Sequence, residues 1–218
     1  KAYTKNNPAA SPRLSAHESD PLAYPTPPRV RAPTPIFFPH RCCSRTVLVD
    51  AVSKTWAMTG WRVGWMVGPT TLIQACAKLQ GHSTSGVCRV NQRAALAALT
   101  SDPALLVPVR GALVARRDLL VEGLDRIEGI DVGPVAQGAF YVFPRVDGLF
   151  GRRRADGRVL NGSMDVADFL ITEGGVAVVP GVAFGEDRCV RISYALSRST
   201  VAEGVRRIAQ AIAKLSEG

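Results

Sequence analysis

The sequence lacks the features that define several protein classes. Its uncharged apolar runs stay far shorter than the roughly 18 residues that a membrane-spanning helix needs. Its five cysteines are odd in number and irregularly spaced within 218 residues, which does not fit a disulfide-stapled small domain. We therefore expect reduced thiols and no membrane association. Because no basic and apolar leader follows residue 1, the sequence also favours a cytoplasmic protein.

Lysines and aromatic residues are scarce, and both bear on the positive charge of the chain. The formal net charge is +9, with 22 arginines, 5 lysines and an aromatic content of 6%. Residues 1–45 hold seven basic and two acidic residues, giving +5, whereas residues 46–218 hold twenty and sixteen, giving +4. Aromatic residues do not alternate with the basic ones, as they do in grooves that bind single strands. We expect no nucleic-acid partner.

The sequence does not predict a metal site. His40, Cys42 and Cys43 lie together, but adjacent cysteines do not have the C-x₂₋₄-C spacing that surrounds zinc, and no fourth ligand follows nearby.

The chain divides by composition near residue 45. Residues 1–45 contain nine of the fifteen prolines and show neither helical nor strand periodicity, which predicts an irregular segment. One hypothesis that depends on this segment alone is an adaptor whose proline-rich arm binds a peptide-recognition domain. The predicted divisions are 1–45, 46–103 and 104–218.

After residue 45 the pattern is that of an α/β protein. Residues 46–50 predict a short buried strand, and residues 104–128 predict a long amphipathic connecting helix that ends at Gly129. The other predicted strands are 62–67, 131–132, 139–143, 176–179 and 190–193. The other predicted helices are 70–79, 92–99, 165–173 and 200–215.

The most informative segment lies between the first two predicted strands. Lys54 follows the first strand among apolar and small residues, where we expect poor solvation to favour the neutral, nucleophilic amine. Arg62 begins the next strand, and a planar guanidinium there can bind a phosphate through two hydrogen bonds. All three tryptophans of the chain, Trp56, Trp61 and Trp65, fall in this stretch, which predicts that it is packed.

Residues 53–64, with the sequence SKTWAMTGWRVG, resemble the lysine motif of the class I, fold-type I, pyridoxal-phosphate-dependent aminotransferases, in particular the aspartate-aminotransferase-like branch. The resemblance implies that Lys54 forms a Schiff base with pyridoxal 5′-phosphate and moves a proton, and that Arg62 binds the cofactor phosphate. It covers about residues 44–218, the C-terminal half of a typical member. The implied fold is α/β: part of the large domain with an incomplete sheet, then a small α/β C-terminal domain.

Three later segments resemble the small domain of the same family. They are residues 138–144 (GAFYVFP), 176–185 (VAVVPGVAFG) and 190–195 (VRISYA). Arg191 is similar to the family arginine that binds the substrate α-carboxylate, a role that suits its two-pronged geometry. The alternative for Arg191 is a salt bridge at the end of a strand.

The resemblance also implies an activity and a partner. The expected activity is transfer of an amino group between an amino acid and a 2-oxo acid by a truncated member of the family. Residues 79–85 (LQGHSTS) resemble the segment that reaches the neighbouring subunit in family dimers, so a homodimer is expected. The alternative is a catalytically inactive remnant or partner subunit that retains the lysine loop.

Overall fold

The computed structural model describes residues 46–217. This part of the chain separates into two compact units, and the division falls between Leu106 and Val107. The proline-rich segment and the cluster of His40, Cys42 and Cys43 lie outside the described residues. Their predicted irregularity and lack of a metal stay predictions.

The first unit is built around a two-stranded antiparallel ribbon. Its elements are β1 (Leu48–Ala51), α1 (Val52–Thr55), β2 (Gly64–Val67), α2 (Thr70–Ser83) and α3 (Arg89–Thr100), with 3₁₀ turns at Thr59–Trp61 and Pro103–Leu106. Leu48 lies opposite Val67, and Ala51 lies opposite Gly64. The loop between the two strands, residues 52–63, therefore begins and ends beside the paired residues Ala51 and Gly64.

The predicted burial of the first strand is wrong. Val49 in β1 is 69% exposed, and Val67 in β2 is 54% exposed. Within residues 46–106 the ribbon pairs with no third strand, so both of its faces keep apolar side chains in contact with water. The expected packing of the tryptophans is also wrong for Trp61, which is exposed.

The second unit combines three helices with a three-stranded antiparallel sheet. Its elements are α4 (Val107–Leu124), β3 (Tyr141–Val142), α5 (Ser163–Gly174), β4 (Val179–Pro180), β5 (Val190–Ser193) and α6 (Arg198–Ile212), with 3₁₀ turns at Asp147–Leu149 and Gly181–Phe184. The strand order is β3-β5-β4. Val142 pairs with Ile192, and Val179 pairs with Arg191.

A single core holds this second unit together. α6 packs against α4 and α5, and alternation along β5 directs Val190 and Ile192 inward. The largest fully buried side chains of the core include Leu124, Leu149, Leu160, Phe169, Leu170 and Ile208. Burial of each such side chain stabilises the folded state by about 1.5–3 kcal/mol relative to leaving it exposed.

Most predicted elements occur, with shifted ends. The connecting helix begins at Val107 rather than at residue 104, because the residues from Pro103 form a 3₁₀ turn in which Ala104 N donates to Asp102 Oδ1 at 2.9 Å. Ala139 adopts a left-handed backbone, so the strand predicted over 139–143 covers only β3. The content of helices and short, incomplete sheets confirms the predicted α/β class.

Candidate active site

Lys54 lies in a loop that is closed at its base. The Ala51–Gly64 pair ends the ribbon, and just beyond it Val52 N donates to Val63 O at 3.3 Å. Val52 is fully buried and anchors the start of the loop. The expected poor solvation of Lys54 is wrong: Lys54 is exposed, because α1 is a single turn that buries only Val52.

Arg62 lies on the same closed loop, at a bend in the backbone. It adopts the left-handed conformation (φ 51°, ψ 48°), which costs a non-glycine residue about 1–2 kcal/mol. Its guanidinium group is partly held in place, since Nη1 donates to Thr59 O at 2.9 Å. Strained backbone of this kind is concentrated at ligand-binding and catalytic sites. The loop therefore carries an amine at Lys54 and a guanidinium at Arg62.

Helix α3 supports this loop from the side. Asn91 Nδ2 donates to Trp61 O at 2.9 Å, directly before Arg62. α3 also contacts α1, and Ala95 of α3 is buried. The position of the loop thus depends on contacts with α3 as well as on the ribbon.

Arg191 lies between two aromatic rings in the second unit. Its Cζ is 4.5 Å from the centre of the Tyr141 ring and 4.6 Å from the centre of the Phe184 ring. Both distances are typical of cation–π contacts. Within residues 46–217 no aspartate or glutamate forms an ion pair with Arg191, so the alternative of a strand-end salt bridge finds no partner there.

Strand pairing explains the first of these rings. Tyr141 lies opposite Ser193, and Arg191 is two residues before Ser193, so Tyr141 and Arg191 are diagonal neighbours on one face of the sheet. Tyr194 fixes the approach to β3, because its hydroxyl donates to Ala139 O at 3.1 Å and its backbone N donates to Phe140 O at 2.9 Å.

The second ring comes from a tight turn between β4 and β5. Phe184 ends the Gly181–Phe184 turn and also meets the Phe143 ring edge-on, with 5.9 Å between centroids. Tyr141 and Phe184 lie in two of the segments that resemble the family, but sequence reasoning did not predict them as site residues. Their only signal in the sequence is that both segments contain aromatic residues.

Charged residues just beyond the turn form a separate surface pair. The Arg188 guanidinium donates to both carboxylate oxygens of Glu186, at 2.8 and 2.7 Å. These hydrogen bonds lower the pKa of Glu186 to about 2. Arg188 is thus exposed and already paired, which leaves Arg191 as the better candidate for binding an anion.

The remaining histidine and cysteines of the described residues have no role in the predicted site. His82 is exposed near the end of α2. Cys76, Cys88 and Cys189 are free thiols, and burial raises the pKa of the Cys189 thiol. No helix within residues 46–217 has the length and apolar character needed to span a membrane.

The arrangement offers three kinds of group for chemistry. Lys54 supplies an amine that can attack a carbonyl group or carry a proton. Arg62, on the same loop, supplies hydrogen-bond donors that suit a phosphate. Arg191, in the second unit, supplies a guanidinium that suits a carboxylate. The structure thus brings Lys54 and Arg62 onto one loop and places Arg191 in a separate aromatic setting.

Comparison with known proteins gives a consistent picture. The sequence model of the family described as Aminotransferase class I and II matches residues 29–208, so the match starts earlier than the expected residue 44. An aspartate aminotransferase from Pinus pinaster is 42% identical over 171 residues, which are 77% of this chain and 35% of that relative. A probable aspartate/prephenate aminotransferase from Rhizobium leguminosarum is 41% identical and is covered over 44% of its length.

Solved structures show the same similarity. The aspartate aminotransferase from Rhizobium meliloti superposes with a TM-score of 0.76 at 40% identity, covering 80% of this chain and 43% of that one. An aromatic aminotransferase from Pyrococcus horikoshii gives a TM-score of 0.68 at 32% identity, with coverage of 78% and 44%. The chain therefore spans less than half the length of the relatives that it matches.

Proposed function

We propose that this chain, which belongs to the class I and II aminotransferase family, takes part in moving an amino group between an amino acid and a 2-oxo acid with pyridoxal 5′-phosphate as the cofactor. The observation that carries the proposal is the closed loop of residues 52–63, which presents Lys54 and Arg62 within a segment that resembles the family lysine motif. The relatives are named for aspartate, prephenate and aromatic substrates, so these are the first substrates to test.

The donor groups of the loop fit this cofactor. A guanidinium carries five N–H donors, so Arg62 can bind a phosphate while Nη1 still donates to Thr59 O. Lys54 is exposed on the same loop, where its amine can meet an aldehyde. Lys54 and Arg62 would hold the cofactor, which supplies an electron-withdrawing ring that stabilises negative charge at the Cα atom of the amino acid.

The remaining steps of the proposal belong to residues of the chain. Lys54 Nζ accepts the proton from the substrate Cα and later returns a proton, as a general base and acid. Arg62 neutralises phosphate charge and keeps the cofactor beside Lys54. Arg191 binds the α-carboxylate with two parallel hydrogen bonds, and the rings of Tyr141 and Phe184 limit the directions that its guanidinium can take.

The proposal includes the expected homodimer, cytoplasmic location and domain limits. Leu79 and His82, in the segment that resembles the intersubunit segment, are exposed, which supports an interface there. The three cysteines within residues 46–217 are free thiols, which is compatible with a reducing compartment. Residues 46–103 would form part of the cofactor-binding domain, and residues 104–218 would form the smaller domain.

The second candidate is an inactive remnant or partner subunit that retains the cofactor loop. Its supporting observation is that Asp50 and Asp102 are the only acidic residues of the described part of the first unit. An acidic side chain is a usual partner of the ring nitrogen of this cofactor, and neither Asp50 nor Asp102 lies within the loop of residues 52–63. Such a chain would bind the cofactor without turning over substrate.

The test combines labelling with an activity assay. The purified chain is incubated with pyridoxal 5′-phosphate, reduced with borohydride and mapped by peptide mass spectrometry, and transamination is assayed with aspartate and 2-oxoglutarate. We expect a pyridoxyl group on Lys54, and its loss in Lys54→Ala. Lys78→Ala is the matched control, because Lys78 is also an exposed lysine of the first unit.

The outcomes separate the two candidates. Labelling of Lys54 together with turnover that Lys54→Ala abolishes supports the transaminase. Labelling of Lys54 without turnover supports the partner subunit. Equal labelling of Lys54 and Lys78 would overturn both, because the loop would then provide no cofactor site.

A further inference from the structure

A buried hydroxyl connects the start of α5 to the turn that carries Phe184. Ser163 is fully buried, and its Oγ donates to Asp187 Oδ1 at 2.6 Å while accepting a hydrogen bond from Val182 N at 3.1 Å. Ser163 N also donates to Asp187 Oδ1, at 3.0 Å. A single side-chain oxygen at the start of α5 thus links to both Val182 and Asp187.

This hydroxyl binds one residue within the turn and one residue just after it. Val182 lies in the Gly181–Phe184 turn, two residues before Phe184, and Asp187 follows the turn on the way into β5. A second link runs through the backbone, since Gly181 N donates to Cys189 O at 2.8 Å. The turn therefore has little freedom to move relative to β5 and Arg191.

The position of this turn determines where the Phe184 ring lies relative to the Arg191 guanidinium. Phe184 is about half exposed, so core packing alone does not fix its ring. Its position over the Arg191 guanidinium follows from the position of the turn backbone. Removal of the hydroxyl leaves Val182 N without its acceptor. Asp187 Oδ1 then accepts only the hydrogen bond from Ser163 N and loses the one from Ser163 Oγ.

We propose that Ser163 and Asp187 are positioning residues for substrate recognition: they hold the Gly181–Phe184 turn so that Phe184 and Tyr141 together orient Arg191 toward a carboxylate. The inference rests on the proposed role of Arg191. Neither residue touches the substrate in this proposal. Their effect reaches it through Phe184 and the Arg191 guanidinium.

The test reads the orientation of Arg191 directly. The Nε–H signal of Arg191, assigned in ¹H–¹⁵N spectra by its loss in Arg191→Lys, should lie upfield because two rings flank the group. Ser163→Ala and Asp187→Ala should move it toward the position of an unstacked arginine. Asp187→Asn keeps the acceptor oxygen and should preserve the signal.

Carboxylate affinity provides the second readout. The full chain is titrated with 2-oxoglutarate, with pyridoxal 5′-phosphate present throughout, and the Kd is taken from the same Arg191 signal. We expect Ser163→Ala and Asp187→Ala to raise the Kd about tenfold, a factor that corresponds to about 1.4 kcal/mol. Asp187→Asn should restore the original Kd to within about twofold.

A matched control separates positioning from general stability. Ser197 caps the start of α6, and its Oγ accepts a hydrogen bond from Thr200 N at 3.0 Å. Ser197→Ala therefore also removes a serine hydrogen bond from the start of a helix in the same unit. It should lower the Tm without changing the Arg191 signal or the Kd. Asp187 is exposed, so Asp187→Ala leaves no cavity and tests the proposal even where Ser163→Ala does not fold.

The two possible failures differ. A folded Asp187→Ala or Ser163→Ala with an unchanged Arg191 signal and unchanged Kd would overturn the positioning role. If 2-oxoglutarate fails to shift the Arg191 signal in the unsubstituted chain, the proposed carboxylate site itself is refuted. The substrate-recognition role of Ser163 and Asp187 is then refuted with it.

Discussion

Replacing Gly181 by alanine tests how tightly the turn between β4 and β5 is built. An alanine Cβ at this position would overlap the backbone carbonyl oxygens of Glu186 and Cys189. Both obstacles belong to the backbone, so rotation of a side chain cannot relieve the overlap. The turn has to open, and its hydrogen bonds have to lengthen.

The size of the effect follows from these contacts. Forcing extra volume into a packed site costs about 1–3 kcal/mol. The bonds from Gly181 N to Cys189 O (2.8 Å) and from Glu186 N to Gly181 O (3.1 Å) contribute about 1 kcal/mol each. We therefore expect Gly181→Ala to lower the free energy of unfolding of the second unit by about 3–5 kcal/mol. At about 4–8 °C per kcal/mol for a unit of this size, the Tm falls by about 12 °C or more.

The assay is thermal unfolding followed by far-UV circular dichroism, with the same substitution at another glycine as the control. Gly204 lies within α6, and an added Cβ there meets no atom within 4 Å. Because alanine favours helix over glycine by about 1 kcal/mol, Gly204→Ala should raise the Tm. A Tm for Gly181→Ala within about 2 °C of the unsubstituted chain would refute the steric argument.

Three further substitutions test the packing and the charges. Leu124→Ala should lower the free energy of unfolding, measured by calorimetry, by about 2–5 kcal/mol, because Leu124 is fully buried. An equal loss for Leu79→Ala, whose side chain is 72% exposed, would contradict this reasoning. Arg154→Met should lower the free energy of unfolding by about 2 kcal/mol in urea titrations, since Arg154 is 5% exposed and pairs with Asp168 at 2.6 Å. Arg158→Met, at 64% exposure, should stay within about 0.5 kcal/mol. Arg206 and Arg207 lower the pKa of Glu203 from 4.5 to about 2, so its stabilisation is complete above pH 4.5 and is lost as the pH falls toward 2. The Tm difference between Glu203→Gln and the unsubstituted chain should follow that course, and a difference that does not change with pH would argue against the pair.

The sequence predicted elements best where one local pattern decided them. β5 has the predicted bounds, because its alternating residues both favour a strand and supply the core residues Val190 and Ile192. The connecting helix was predicted from its periodicity, but the 3₁₀ turn at Pro103–Leu106 delayed its start. Local periodicity does not distinguish a 3₁₀ turn from the first turn of an α-helix.

The site was predicted less evenly. Lys54, Arg62 and Arg191 were predicted from the chemistry of their side chains and from motif resemblance, and the structure shows Lys54 and Arg62 on one closed loop and Arg191 between two rings. The buried first strand was expected because β-branched residues favour strands that are covered on both faces, but burial depends on neighbours that the strand's own residues do not specify. The contact of Ser163 with Asp187 joins residues 24 positions apart, which no local pattern reveals.

The central place of β5 in its sheet has a consequence for how the second unit opens. Of the three strands, β5 alone is hydrogen-bonded on both sides, and its inward residues lie in the core. Amide hydrogens of such a strand exchange with solvent only in the rarest and largest openings, whereas the outer strands exchange through smaller ones. Arg191 therefore belongs to the slowest-exchanging part of the unit, while Tyr141 lies on an outer strand. The contact of Arg191 with the Tyr141 ring should then open more often than β5 itself, whereas the hydrogen bonds of Ser163 and Asp187 keep Phe184 in place.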